Sequence, residues 1–326
     1  MRYFVTGATG FIGKALAKAL LARGDQVVIV ARTPAKADDL KALGAEIYRG
    51  DITEFETMRA PMRGTDGVFH VAGWYKVGVK DKSPGWATNV EGTRNVLTMM
   101  RDLNIAKGVY TSTLAVNSDT AGAVVDENYN FTGTHQSEYD RTKAVAHDEA
   151  EQFIRDGLPL VIVMPGLVYG PGDEGVSHDI FVQFLARKMP MIPSDMALAW
   201  GYIDDIVQGH IAAMDTGRVG ESYMLAGPPH KLTEAITVLE ELSNVPAPKM
   251  RMGRAGLRAM SQIMGIIERL MPVPSNFSSE SLRVFGMTYL GDSGKAKREL
   301  GFNPRSIEDG LRETLKWEQA QLHAKR

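Results

Sequence analysis

The first half of the chain alternates short β-branched runs with stretches that read as helix. Tyr3–Val5, Gln26–Val30, Glu46–Tyr48, Gly67–Val71, Gly108–Thr111 and Leu160–Met164 carry little polar alternation, as strands do when helices cover both faces. Between them lie Lys14–Leu21, Ala87–Leu103 and Ser137–Arg155, the last two with apolar residues at helical spacing. Repetition of this unit predicts βαβ crossovers and an α/β, doubly wound parallel sheet. After Met164 the pattern is broken by Pro165, Gly166, Gly170, Pro171 and Gly172, which marks the exit from the sheet. One more strand is predicted at Ser222–Leu225, and the remainder is mostly helical. The pattern thus predicts one domain, built on this sheet, from 1–166 and 199–226, with a smaller, mostly helical domain from 167–198 and 227–326.

One late segment stands apart. Leu257, Met260, Ile263, Met264, Ile267, Leu270 and Met271 recur at helical spacing, with Lys249, Arg251, Arg254, Arg258 and Arg269 around them. This predicts a helix packed on the second domain or lining a pocket with adaptable Met side chains. A membrane-surface helix is the alternative.

At 326 residues, with 44% hydrophobic and 23% charged residues, the chain has the composition of an ordinary globular protein of about two domains. Lys plus Arg number 37 against 39 Asp plus Glu, a net charge of −2, without the basic excess of a duplex-binding protein. Nucleic acid is therefore not an expected partner. The absence of cysteine excludes disulfides, thiolate nucleophiles, iron–sulfur clusters and Cys-based zinc sites, and fits a reducing, cytoplasmic compartment. Only a run of three apolar residues, Tyr3–Val5, precedes the first glycines, so no secretion signal is expected. The longest apolar stretch, Leu158–Tyr169, is interrupted by prolines and falls short of the roughly 20 residues that span a bilayer, so no transmembrane segment is expected. The seven histidines show no metal-ligand spacing, so no metal site is expected, and His70 and His210 read as satisfied structural residues.

The candidate chemistry begins at Gly7-Ala8-Thr9-Gly10-Phe11-Ile12-Gly13, a Gly-x-x-Gly-x-x-Gly turn between the first strand and the first helix. Gly7 permits the tight turn, Gly10 lets backbone N–H groups approach a pyrophosphate, and Gly13 lets the helix approach the strand. The second strand ends at Arg32, where an NAD-binding fold commonly has an acid for the ribose hydroxyls. Arginine there, with Lys36 nearby, suits a 2′-phosphate and favours NADP(H), with NAD(H) as the alternative. Asp51 and Ile52 are placed to bracket the adenine, although Asp51 could equally cap a helix. Tyr139 and Lys143 fall at i and i+4 on one helix face. An ammonium about 4 Å from the phenol favours phenolate by up to roughly 4 kcal/mol at an effective dielectric near 20, which would lower the phenol's pKa.

With these motifs in hand, the sequence resembles the extended short-chain dehydrogenase/reductases over nearly its whole length. The shared stretches are 6–13, 50–53, 68–73, 89–96, 109–113, Tyr139-x-x-x-Lys143, 165–171, 202–205 and 295–301. The resemblance implies a Rossmann sheet and an NAD(P)-dependent oxidoreductase. It makes Tyr139 the general acid/base and Lys143 the group that tunes it and holds the nicotinamide ribose. Thr113 would hydrogen-bond the reacting oxygen, with Ser112 as second choice. Val71, Ala72, Gly73, Asn89, Pro165, Gly166 and Val168 would line the cofactor. Trp200 and Leu114 stand where nucleotide-sugar epimerases and 4,6-dehydratases place an arginine and acids. His70-Val-Ala-Gly-Trp-Tyr and Arg32 resemble instead the dihydroflavonol reductase branch. A ketone or aldehyde reductase is expected, with an NAD-retaining sugar epimerase and a non-catalytic NADP(H)-sensing regulator as alternatives. Trp74, Tyr75, Leu114, Trp200 and Tyr202 would suit an uncharged carbonyl or alcohol substrate, though each could be core. A homodimer built from the helices at 89–103 and 137–155 is expected by the same resemblance, unless their apolar faces lie wholly against the sheet.

Overall fold

A computed structural model describes residues 1–324. The predicted strands form β1 (Arg2–Thr6), β2 (Gln26–Ala31), β3 (Glu46–Arg49), β4 (Gly67–His70), β5 (Lys107–Thr111) and β6 (Leu160–Pro165). With Ser222–Leu225 they make a seven-stranded parallel sheet in the order Ser222–Leu225, β6, β5, β4, β1, β2, β3. Alternation along the strands divides the core into two layers. Tyr3, Val5, Val27 and Ile29 face helices Phe11–Ala22 and Ile203–Asp215, whereas Phe4, Val28 and Val30 face Gly92–Asp102 and Glu138–Arg155. Strand order reverses between β1 and β4, which opens a crevice at their carboxyl ends, the place where such sheets bind ligands.

Val96, Leu97, Met99 and Met100 of helix Gly92–Asp102 and Ala146 and Ala150 of Glu138–Arg155 are buried in the second layer. The apolar faces of these helices therefore lie against the sheet.

After β6 the chain builds a smaller sheet from Leu167–Tyr169, Ala197–Tyr202, Pro229–Lys231 and Thr288–Tyr289. Within the expected return segment 199–226, residues up to Tyr202 serve this smaller sheet, and the chain rejoins the large one from Ile203. The expected late helix forms at Arg254–Ile267 and packs on helix Ser279–Val284, with the Ser261 hydroxyl donating to the Ser279 carbonyl at 2.8 Å. Among the described residues, no helix is long and apolar enough to cross a membrane, and no cluster could ligate a metal.

Candidate active site

The crevice floor is the glycine turn. Gly7 takes φ +72°, and a Cβ there would come within 2.6 Å of the Ala72 nitrogen. This close approach is stapled by Thr6, whose Oγ1 accepts from the N–H groups of Val71 and Ala72 at 3.2 Å each. A Cβ on Gly13 would collide with the Gly7 carbonyl and sit 2.9 Å from the Ala8 nitrogen, so Gly13 seats the helix on the turn rather than on the strand. At Gly10 the corresponding direction meets only the Gly7 carbonyl, at 3.4 Å, and both Thr9 and Gly10 are exposed. Phe11 and Ile12 pack partly into the core. Helix Phe11–Ala22 starts with no side-chain cap and no acid in its first turn, which leaves its positive end open to an anion.

The second half of the site lies where β5 meets helix Glu138–Arg155. Ser137 caps that helix, its Oγ accepting from the Asp140 N–H at 3.1 Å, and this fixes the turn that carries Tyr139. The Thr113 hydroxyl lies beside the Tyr139 phenol, close enough to lower its pKa, and accepts from the Ala115 N–H at 3.2 Å. Ser112 points elsewhere, its Oγ 2.8 Å from Nδ1 of His147. Lys143 is buried and donates to the Tyr110 hydroxyl at 3.1 Å and the Thr111 carbonyl at 2.8 Å.

Desolvation governs both titrating groups. It pushes the Lys143 ammonium down to about 7 and the Tyr139 phenol up to about 12, against the lowering effect of the neighbouring Thr113 hydroxyl. The expected depression of the phenol by its i+4 lysine is thus not what the protein's own groups produce. The ammonium is drawn toward β5, and loss of water outweighs the helical spacing.

A turn of this kind and a hydroxyl–phenol–lysine set at the carboxyl edge of one parallel sheet together point to a dinucleotide-dependent enzyme. The family model for the NAD dependent epimerase/dehydratase family matches residues 3–226. The chain belongs to that family. It is an extended short-chain dehydrogenase/reductase and an NAD(P)-dependent enzyme. It is 29% identical to a putative dihydroflavonol 4-reductase of Synechocystis sp., over 97% of this chain and 94% of that protein. It is also 29% identical to sterol demethylase protein B of Methylococcus capsulatus, over 97% and 98% of the two chains. The crystal structure of gox2253 superposes with a TM-score of 0.86 at 27% identity and covers 98% of each chain.

The remaining predicted cofactor residues of this family member fall into two groups. Arg32, with its side chain 79% exposed, stands at the end of β2 with its Nε 3.9 Å from an Asp51 oxygen, and Lys36 is exposed on the next turn. Asp51 accepts from the Thr53 N–H at 3.0 Å and so braces the turn after β3; it does not cap the next helix, Phe55–Met58, whose N-cap is Glu54. Val71, Ala72 and Gly73 line the exit of β4, while Pro165 and Gly166 close β6 against Ala199 and Val168 follows, half-buried. Ile52 is buried beneath helix Gly92–Asp102. Asn89 does not project freely toward a cofactor as expected. Its amide accepts from the Trp74 N–H at 2.7 Å and donates to the Trp74 carbonyl and the Thr142 hydroxyl, at 2.9 Å each. It is a strut that ties the loop after β4 to the helix carrying Lys143.

Three expected substrate contacts belong to the core instead. Leu114 is buried against Gly291. Trp200 is 1% exposed, donates to the His230 carbonyl at 3.3 Å and packs edge-on to Tyr169. Tyr202 is buried with Arg305 3.8 Å above its ring, and its hydroxyl donates to Glu313 at 2.7 Å. The small sheet turns these side chains inward, a placement that the order of residues alone does not reveal. Trp74 stays half-buried beside Gly85, and Tyr75 is exposed.

Two features escaped the sequence reading. A buried chain of polar groups runs under the site: Thr6 Oγ1 to His70 Nδ1 at 2.8 Å, His70 Nε2 to Thr93 Oγ1 at 2.9 Å, then Thr93 to Tyr110 and Tyr110 to Lys143. Because Thr6 already accepts two N–H bonds, its hydroxyl donates to Nδ1, and Nε2 therefore carries the imidazole proton. Burial holds His70 near 3, so the ring stays neutral. The second feature is Glu280 of the smaller domain. It accepts from the Gly78 N–H at 2.9 Å, the Glu138 N–H at 2.7 Å and the Lys82 ammonium at 3.0 Å. One buried carboxylate thereby clasps the loop after β4 to the first residue of the helix carrying Tyr139. Tyr110 lay within a quoted motif, but nothing local marked Glu280.

Proposed function

We propose that this chain reduces a ketone or aldehyde to an alcohol with NADP(H). The observation that carries this reading is the grouping of Thr113 and Tyr139 beside buried Lys143, at the carboxyl edge of the sheet next to the glycine turn. The residues fit a dinucleotide: the open side of Gly10 and the uncapped helix start would hold the pyrophosphate, and exposed Arg32 with Lys36 the 2′-phosphate. When bound, the reduced nicotinamide supplies hydride to a carbonyl carbon. Tyr139, protonated across neutral pH, gives its proton to the carbonyl oxygen as negative charge develops there. Thr113 donates a hydrogen bond that orients the same oxygen. Lys143, charged below about 7, stabilises the phenolate left behind, so reduction slows as pH rises past that value. Half-buried Trp74 and exposed Tyr75 offer apolar surface to an uncharged substrate. The name of the Synechocystis relative accords with carbonyl reduction.

The test is titration of the purified protein with NADPH and NADH, followed by a panel of aldehydes and ketones read by loss of reduced-cofactor absorbance. Tighter NADPH binding with turnover is expected, and Arg32→Ala should weaken NADPH binding by about tenfold or more while leaving NADH little changed. Tightly co-purifying NAD without net oxidation by any carbonyl would replace this reading with an epimerase.

A further inference from the structure

Helix Arg254–Ile267 buries a narrow face, Leu257 and Ser261, against the smaller domain. The opposite face is apolar as well. Ala255, Ala259, Ile263, Ile266 and Leu270 follow one another at spacings of four, four, three and four, and all five are exposed. Ile263 is 58%, Ile266 62% and Leu270 82% exposed, and Met271 beside them is 58% exposed. Exposed apolar residues scattered singly need no explanation, but a continuous stripe along four turns does. Half of the expected stripe thus packs inward, as Leu257, Met260, Met264 and Ile267, and the other half faces water.

The charges around this stripe have one sign. The helix contains no acid, and the guanidinium of Arg254 is taken by Asp119. Arg258 and Arg269 lie along one flank, with Lys249 and Arg251 just upstream. Among the described residues none of these four side chains makes a hydrogen bond or ion pair, and all four are exposed. Glu268, which follows the helix, is held by the N–H and hydroxyl of Ser279 at 2.8 and 2.7 Å. A second copy laid antiparallel on this face would bring four arginines together with no helix acid between them. An anionic surface with an apolar interior satisfies both the stripe and its flank.

From this we infer that the segment 254–271 docks the protein on an anionic lipid bilayer, with Ile263, Ile266 and Leu270 entering the acyl boundary and Arg258 and Arg269 at the headgroups. The inference is independent of the substrate reading. It is tested with the full-length protein by co-sedimentation with vesicles of phosphatidylcholine containing phosphatidylglycerol, and with phosphatidylcholine alone. Binding to the anionic vesicles is expected, with less at high salt and least on the neutral ones. The triple variant Ile263→Ser/Ile266→Ser/Leu270→Ser changes exposed residues and should keep the wild-type circular dichroism and melting temperature, yet lose vesicle binding. Arg258→Glu/Arg269→Glu should weaken partitioning by about tenfold or more on the same vesicles. Failure of the wild type to bind, or undiminished binding by both variants, would overturn the proposal. So would a wild-type dimer that ignores vesicles and becomes monomeric in the triple variant, which assigns the face to a second copy.

Discussion

Thr113 and Ser112 show how finely the site depends on direction. They are neighbours in the chain, but they follow β5 in extended backbone that turns successive side chains to opposite sides, so Thr113 lies beside the Tyr139 phenol and Ser112 meets His147. Thr113→Ala is therefore expected to lower kcat by about a hundredfold, whereas Ser112→Ala should cost well under tenfold; the reverse order in steady-state assays would exchange their roles. Tyr139→Phe keeps the ring and removes the proton, so turnover should fall by roughly a thousandfold with the cofactor Kd unchanged. The glycines, Tyr139 and Lys143 were legible in the sequence because a turn or a single helical repeat places them, whereas Thr113 was indicated only by the family resemblance. Trp200, Tyr202 and Asn89 were not, because their surroundings come from chain segments far away in sequence.

At the scale of elements, the loop after β4 is held by contacts that no local pattern announces. Gly78 takes φ +74°, and a Cβ there would strike Ser278, Ser281 and the Ser275 carbonyl, so the loop is seated on the 275–281 segment without room to spare. Gly78→Ala is expected to destabilise the protein by about 2 kcal/mol or more, measurable as a drop in melting temperature. Glu280→Gln is the subtler change. It leaves Lys82 without its partner and weakens the acceptor of the Glu138 N–H, next to Tyr139. Catalysis should slow by about tenfold with NADPH affinity retained, and an equal loss of cofactor binding would show that the clasp serves the fold in general. The helices themselves were readable from periodicity. Which of them a buried carboxylate would join was decided by the packing of the 275–281 segment on the loop after β4.

Across the whole molecule, buried ionisable groups set the response to pH. Burial pushes His70 to about 3 and His210 to about 4, so both stay neutral in the folded chain, while unfolded they take up protons below about 6.5. Asp140 runs the other way: burial raises it to about 7, so the folded chain keeps a proton that the unfolded chain releases above 3.8. Between pH 4 and 6.5 the unfolded chain thus binds two protons that the folded one lacks, and the folded chain binds one that the unfolded one lacks. Stability from these groups rises with pH over that window, by about 1.4 kcal/mol per unit. Asp140→Asn removes the opposing proton and should steepen the rise to about 2.7 kcal/mol per unit in urea denaturation at pH 4.5, 5.5 and 6.5. A slope equal to or shallower than wild type would refute the assignment.

The parallel sheet, the glycine turn and the helix carrying Tyr139 and Lys143 were already written into the order of residues. Their signals are local: strand runs buried on both faces, a turn of fixed glycine spacing, and a tyrosine and lysine one helical turn apart. Tertiary structure decided the remainder. It turned Trp200 and Tyr202 into the core of a second sheet, committed Asn89 to the Trp74 backbone and brought Glu280 to the catalytic helix. It also left Ile263, Ile266 and Leu270 facing outward, where the pattern of apolar residues left a packed helix and a membrane-surface helix both open. Periodicity tells which residues share a face. It does not tell what that face meets, because burial is set by partners distant in the chain and by the balance between desolvation and the hydrogen bonds those partners supply.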